Sequence, residues 1–528
     1  MSSEATSSPT STLYRGGVVY SPADPLATAM LVSDDQIAWI GSEEAAAGLA
    51  DGVGQVVDLA GGLVTPTFVD AHVHVSATGM TLRSAALTDV RSLQEALTRI
   101  EDAARRRAGR PVYAPGWDER DWPEGRAPSA QELDRASYGG VVYSPRVDGH
   151  SAVISSALAA ASGARNHPGW STSGLVTREA HHAARDWFHA GISPADRRAD
   201  IDAALCAAAA AGIGLVQECG GPTLSSEADF ADVLAAGDGG AGPQVIGYWA
   251  ELVRDEESAR ALASRMGARG LAGDLNIDGS IGSRTASLRE PYADLDDPLH
   301  RGNAYLTIEQ VRDHVAACSM AGIQGGFHVI GDAGAEAVIA GLQAAAAQVG
   351  LTKVIAAHHR LEHLEMVDAE GIKALVELGV TASVQPAFDA HWGGPDGMYA
   401  ARLGRQRATG MNPFADMTAA GLPLAFGSDS PVTPFEPWQA IAACVNHHDP
   451  AQRISAPAAF VAHTRGGWNA AGIAERGYLG LGQPASFAIW SAGSTPGLPD
   501  LSPGATIPTT LRTVIRGRTV FDREGALS

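Results

Sequence analysis

Short apolar runs punctuated by Pro, Gly and Asp fill residues 13–59: VVY, AMLV, QIAWI and QVVDL. Runs of this length between turn residues predict the strands of a small sheet. The C-terminal end repeats the pattern. ASFAIW predicts one strand, and TVIRGRTVF, turning at Arg516-Gly517, predicts a hairpin. Chain termini often lie close together, so residues 13–65 and 471–528 predict one accessory β domain. The Ser/Thr-rich residues 1–12 predict a mobile tail.

The middle of the chain has another rhythm. A helical stretch ends in glycine, a short apolar strand follows, and a polar residue closes it. Ser193 caps a helix with Pro194 in its first turn; it runs to Gly212, and IGLVQE follows. Helices ending at Gly322, Gly379 and Gly421 precede IQGGFH, VTASVQ and LPLAFGSD. Glu218, His328 and Gln385 each stand six residues after their glycine. A repeated βα unit with polar residues at the strand ends predicts a (β/α)8 barrel over residues 66–470, with its site at those ends. A doubly wound sheet would need a Gly-rich phosphate turn after an early strand. The nearest candidate, GLGQPA from Gly480, contains proline and lies near the C-terminus.

Residues 76–190 read as a long irregular insertion. One amphipathic helix stands out in it, with Ser92 and Glu95 in a capping-box pattern and Leu93, Ala96, Leu97 and Ile100 on its apolar face. Arg105-Arg106-Arg107 then complements the helix dipole. The segment GWDERDWPEGRAPS predicts a loop over the barrel mouth.

Composition narrows the function. Of 528 residues, 45% are hydrophobic and 18% charged, enough for a sizeable core. The net charge of −21 argues against a nucleic-acid partner or an anionic membrane surface. The longest apolar run, Ala203 to Val216, is too short to span a bilayer, and the N-terminal residues lack a signal-peptide pattern. Cys206, Cys219, Cys318 and Cys444 show no CxxC spacing, which predicts buried, reduced cysteines in a cytoplasmic protein.

The strongest chemical signal is VTPTFVDAHVH. His72 and His74, two apart on a strand, point to one face and can share a metal ion. His328, His363 and Asp429 stand at the ends of three other predicted strands. In one barrel these five groups converge on the mouth. Neutral imidazole and carboxylate suit zinc, manganese or iron. Such an ion lowers the pKa of a bound water and polarises a carbonyl, while a carboxylate can take and return the proton. The stretch from His359 to His363 also fits H-x-x-E-H, an inverted zinc-protease pattern that requires a helix; KVIAA before it reads instead as the start of a strand. Trp117, Trp122, Phe388, Trp392 and Trp438 are candidates either for an apolar substrate pocket or for packing within a lid.

Taken in order, VTPTFVDAHVH, GWDERDWPEG, SPRVDGHSAVISSAL, DGSIGSRTASLREPYAD, FHVIGDAGAEAV, HRLEHLE, SVQPAF, GSDSPVTPFEPW and HTRGGWNAAG span most of the chain. They resemble the amidohydrolase superfamily, and within it the YtcJ-like branch of amidohydrolase family 3, which includes N-substituted formamide deformylases. The resemblance implies a distorted (β/α)8 TIM barrel with a small β-sandwich built from both chain ends. It implies a metal-dependent hydrolase that cleaves a C–N bond of an amide, formamide, carbamate or cyclic amide by metal-bound hydroxide. His72, His74, His328, His363 and Asp429 fall on the metal-ligand positions, with Asp429 also the proton shuttle. His150 and Arg284 fall in segments near the substrate. The implied partner is a small amide-type molecule, with room for a homo-oligomer. Ester or lactone hydrolysis at the same site, and a metal-poor barrel without enzymatic activity, are the competing readings.

One departure matters. Many binuclear relatives bridge their ions with a carboxylated lysine in a K-x-x-x-D-G pattern. Here the segment is Asp274-Leu275-Asn276-Ile277-Asp278-Gly279, and the only lysines are Lys353 and Lys373. An aspartate is shorter than that bridge by roughly 5 Å, so Asp274 would not replace it without backbone movement. Asp278 or Glu218 could contribute instead. The expectation is therefore one tight divalent ion, most simply zinc, at His72, His74 and Asp429 with help from His328 or His363, and at most a weak second.

Overall fold

Glycine stops the helices of the central chain where the sequence places it. Gly322 takes the left-handed conformation that side chains resist (φ +67°) and closes the helix Ile308–Ala321, whose other end is a capping box between Thr307 and Gln310. Gly212 does the same after Pro194–Ala210 (φ +75°), and a Cβ there would come 2.3 Å from the Trp490 ring. Each turn returns the chain to a strand. The computed structural model describes residues 11–119, 122–146, 151–492 and 497–527. They form two compact units: Val75–Ala204, and the described residues up to His74 together with those from Leu205 onward.

The larger unit holds the barrel. Its strands, in chain order, are β1 (Phe68–Val73), β2 (Ile213–Gly220), β3 (Gln244–Trp249), β4 (Gly270–Leu271), β5 (Gln324–Val329), β6 (Arg360–His363), β7 (Thr381–Val384) and β8 (Leu424–Phe426). They form one eight-stranded parallel sheet in that order. The ring closes where Val73 pairs with Ser430, with Asp429 N–H donating to His72 O (2.8 Å) and His74 N–H to Ser430 O (2.9 Å). β4 is only two residues long. The segment Lys353-Val354-Ile355-Ala356, expected to open a strand, lies in the helix Leu351–Ala356; the left-handed His358 (φ 53°) separates it from β6. Because Arg360–His363 is strand, the inverted protease motif has no helix to sit on.

Strands from both chain ends meet in a five-stranded sheet ordered Val18–Val19, Leu63–Pro66, Phe487–Trp490, Thr510–Ile515, Arg518–Asp522. Its last two strands turn at Arg516 and Gly517, both at positive φ, as the hairpin pattern predicts. A four-stranded sheet of Gln36–Gly41, Ala29–Ser33, Ser11–Arg15 and Gln55–Asp58 faces it. Tyr14, Met30, Ile37, Val57, Phe487, Ile489 and Val514 fill the space between. Ser11 and Thr12, read above as tail, already belong to a strand.

The smaller unit corrects the irregular insertion. It carries a four-stranded sheet of Leu175–Thr177, Ser151–Ile154, Val142–Pro145 and Val112–Tyr113, with helices that include Leu93–Arg107 and Arg178–Ala190. Trp117 and Trp122 are buried in its core and donate their indole N–H groups to Ser144 O and Val90 O. Packing, not pocket lining, accounts for both. The cysteines also need one correction: Cys219, Cys318 and Cys444 are buried, but Cys206 is exposed on its helix.

Candidate metal centre

β1 delivers His72 and His74 to the barrel mouth. β5 delivers His328, β6 delivers His363, and the chain just past β8 delivers Asp429. Each imidazole is fixed through the nitrogen that faces away from the centre. His72 Nδ1 lies 2.9 Å from Glu362 Oε2, His74 Nδ1 3.0 Å from Cys219 O, His328 Nε2 3.3 Å from Gly279 O and His363 Nδ1 2.8 Å from Gln385 Oε1. All four acceptors are oxygens, so these nitrogens carry the protons and the opposite ones present lone pairs to the centre. The ring of His363 also stacks on Phe388, with 6.1 Å between centroids. His363 (φ 70°) and Asp429 (φ 55°) both hold left-handed backbone, strain of the kind that gathers at working sites.

At the centre stand two carboxylates. Asp429 Oδ1 is 3.5 Å from His72 Nε2 and 3.2 Å from His74 Nε2. Asp274, the residue expected not to reach, is there as well. Its Oδ2 is 3.2 Å from His74 Nε2; its Oδ1 is 3.4 Å from His72 Nε2, 3.6 Å from His328 Nδ1 and 3.7 Å from His363 Nε2. The backbone makes the movement that a short side chain needs. β4 stops after two residues, Gly273 turns at φ +87° against Cys219, and Leu275 N–H donates back to Gly273 O. The chain rejoins the sheet only at Asn276, beside His328. Asp278 is occupied elsewhere: its carboxylate accepts from the backbone N–H groups of Ser287, Ile330 and Gly331. Glu218 is buried on β2.

The electrostatics follow from this crowding. Burial works against charge on His72, His74 and His328, yet the facing carboxylates raise all three above the ordinary imidazole range. Burial likewise opposes ionisation of Asp274, but the imidazoles hold it well below the usual carboxylate range. Beneath the cluster a buried arginine anchors the frame. Arg360 donates to Glu362, Gln217, Ser383 and the carbonyl of Ala71, joining β6, β2, β7 and β1, and lies 4.4 Å above the Tyr248 ring. Burial would raise Glu362, but Arg360 and His72 bring it down to about 2. At the seam, Asp70 Oδ1 accepts Ser428 N–H (2.9 Å), tying β1 to the end of β8; burial lifts that carboxyl to about 6.

His72 Nε2, His363 Nε2, Asp274 Oδ1 and Asp429 Oδ1 are buried and have no hydrogen-bond partner. Leaving such atoms unpaired is costly. Two triads of ligand atoms, His72–His74–Asp429 and His72–Asp274–His363, each fall within 4.8 Å of one another. This donor set of imidazole nitrogens and carboxylate oxygens fits a divalent metal ion.

Arg284 and Trp438, also singled out in the sequence, make their contacts away from the cluster. His150 falls outside the described residues. The Arg284 guanidinium is held by Asp294 (3.0 and 2.6 Å), which also accepts Arg402. Trp438 packs against Phe68, Phe460 and Trp490 in the core. Trp392 is partly exposed, 4.6 Å from Phe388.

Comparison with known proteins bears on the family and the fold. A family model described as the amidohydrolase family matches residues 55–521. The chain belongs to the amidohydrolase family. It is 26% identical over 506 residues to the Arabidopsis thaliana protein LONG AFTER FAR-RED 3, covering 89% of this chain and 85% of that one. It is also 26% identical over 467 residues to YtcJ of Bacillus subtilis (strain 168), which carries an amidohydrolase name, covering 82% and 83%. A solved structure of an uncharacterized metal-dependent hydrolase from Pyrococcus furiosus shares the fold with a TM-score of 0.73 at 24% identity, covering 91% of this chain and 98% of that one. Family membership supports a hydrolase and implies a divalent metal. Among the described residues no helix is long and apolar enough to cross a membrane.

Proposed function

We propose that this amidohydrolase-family chain is a cytoplasmic, zinc-dependent hydrolase of a C–N bond in a small amide, formamide, carbamate or cyclic amide. The observation that carries the reading is the set of buried, unpartnered lone pairs on His72, His363, Asp274 and Asp429 at the carboxyl ends of the barrel strands. His72, His74, His328, His363 and Asp429 would hold the ion. A bound divalent ion supplies Lewis acidity toward a carbonyl oxygen and favours deprotonation of water.

The chain's own groups do the rest. Glu362, Cys219 O, Gly279 O and Gln385 keep the outer ring nitrogens protonated, so the inner lone pairs are fixed before substrate arrives. Asp429 accepts a proton from the attacking water and returns it to the departing nitrogen, which needs that proton to leave as an amine. Trp392, partly exposed and packed on the buried Phe388 beside His363, offers an apolar edge suited to an uncharged N-substituent.

Elemental analysis of the purified chain, run beside a screen of paired amides, formamides and esters, tests the reading. Bound zinc with turnover of amides is expected. Full turnover by metal-free protein, or turnover of esters alone, would overturn it.

A further inference from the structure

The end of the barrel away from the metal centre carries two neighbouring cavities. One, of about 310 Å³, opens at the amino-terminal ends of β1 and β3, where Thr67, Gln244 and the half-buried Trp468 line it. The other, of about 330 Å³, is lined by the strand Val18–Val19 and by Phe460 and Val461 of the helix Ala456–Val461. Pro66, Gly477 and Tyr478 form a wall common to both. We infer that this pair is a binding site for an apolar monocarboxylate of fatty-acid type, with its hydrocarbon chain in the second cavity and its carboxylate at the Tyr478 wall.

Charge is the first support. Arg465 lines the second cavity, and Arg476 and Arg516 line the first. None of these three guanidinium groups has an ion pair or hydrogen bond among the described residues; Arg465 lies only over the Tyr478 ring, 5.4 Å from its centroid. Glu475, the nearby acid, accepts the Tyr478 hydroxyl at 3.3 Å rather than an arginine. The chain has 59 acidic residues against 38 basic ones, so three unpaired arginines around one wall run against its composition. Such donors favour an anion, and the planar fork of a guanidinium matches a carboxylate. The second support is the apolar surface. Tyr20 packs edge-on against the buried Phe460 at 5.1 Å, and Val18, Pro66 and Val461 continue that surface. Cavities of this size and lining take small organic ligands, with a few polar groups fixing the orientation. An inorganic anion would leave the apolar surface uncovered, and a plain hydrocarbon would leave the arginines unanswered. A carboxylate on an apolar chain meets both.

The inference rests on neither the metal nor the reaction proposed above. Titration calorimetry of the full chain with decanoate, below its micelle concentration, tests it; decanol, decyl phosphate and decyltrimethylammonium serve as comparisons. One equivalent of decanoate is expected, bound at least about tenfold more tightly than decanol, with no saturable binding of the ammonium. Arg465→Gln should weaken decanoate by about tenfold. Val461→Asp, at a position 47% exposed, sets a like charge on the apolar surface and should weaken it by about 100-fold. Circular dichroism confirms that both variants fold. No binding of decanoate, equal binding of decanol, or undiminished binding by either folded variant would overturn the inference, the last by placing the carboxylate elsewhere, the metal centre included. Tighter binding of decyl phosphate than of decanoate would overturn the choice of a carboxylate headgroup.

Discussion

His359 and His363 stand four residues apart, one just before β6 and the other at its end, and their surroundings differ completely. His359 Nδ1 accepts the Gly325 N–H at 2.9 Å, and its Nε2 is 2.8 Å from the Ser319 hydroxyl, so both ring nitrogens are satisfied. His314, in the barrel's outer layer, is the same: Nδ1 accepts Val253 N–H and Nε2 donates to Leu271 O. Burial pushes both of these imidazoles down to about 4. At the mouth, His72 and His363 have one nitrogen satisfied and the other left open toward two carboxylates. Burial alone therefore yields a neutral structural histidine. What marks a site is the unfinished hydrogen-bonding, shared by several groups that face one another.

The largest effect should come from the open side of that contrast. Asp429→Asn keeps the shape of the side chain but cannot hold the transferred proton. Turnover of the best amide should fall by about 10²–10⁴-fold with an unchanged thermal melt. Retention of more than a tenth of the turnover would place the shuttle elsewhere.

A smaller effect is expected from the closed side of a mouth histidine. Glu362→Gln leaves an acceptor near His72 but removes the charge that pairs with Arg360. Metal affinity, read by competition with a chelator, should weaken by about 10–100-fold. An unchanged affinity would mean that His72 is positioned by packing alone.

The wall histidines should behave oppositely. His359→Leu strands the Gly325 N–H and removes a donor to the Ser319 hydroxyl, which keeps its bond to Val315 O, at a cost of about 1–3 kcal/mol in stability, while metal stoichiometry stays the same. The pH dependence has a definite sign. The unfolded chain binds protons at His314 and His359 near 6.5, but the folded chain only near 4. Stability from these two residues is complete above about pH 6.5 and is lost as pH falls toward 4. Denaturant melts across that range would show it, and His359→Leu should flatten the slope.

Parts of this were legible in the sequence because they follow from short-range rules. The i, i+2 spacing of His72 and His74, the six-residue interval from glycine to His328 and Gln385, and the Arg516-Gly517 hairpin are each set by local backbone geometry. The interval even picked out Gln385, which turned out to hold His363 rather than to react. Asp274 was missed because its position depends on an interruption. Nothing in GDLN announces that β4 lasts two residues and that Gly273 swings the next side chain inward. The smaller unit was missed for a related reason: its strands are two to four residues long, too short for a period to register. The aromatics split along the same line. Nothing local separates Trp438, packed in the core, from Trp392, which is partly exposed.

The smallest expected effect concerns that last pair. Trp392 ends the helix Pro386–Trp392, which follows the residue that holds His363 and carries Phe388 onto its ring. Trp392 is 4.6 Å from Phe388 and 6.3 Å from Tyr399, yet remains partly exposed, so it can give surface to a ligand without leaving the core. Removing it should cost binding of an apolar N-substituent while leaving the metal ligands and Asp429 in place. For Trp392→Ala, kcat/KM for an N-phenethyl amide should drop by about tenfold, and for its N-methyl analogue by less than about twofold. Trp438→Ala is the matching control: it opens a core cavity and should lower the melting temperature without changing the ratio between the two substrates. Equal losses on both substrates for Trp392→Ala would show that the residue supports the helix rather than the substrate, and the exposed edge of this aromatic wall would then have no part in selectivity.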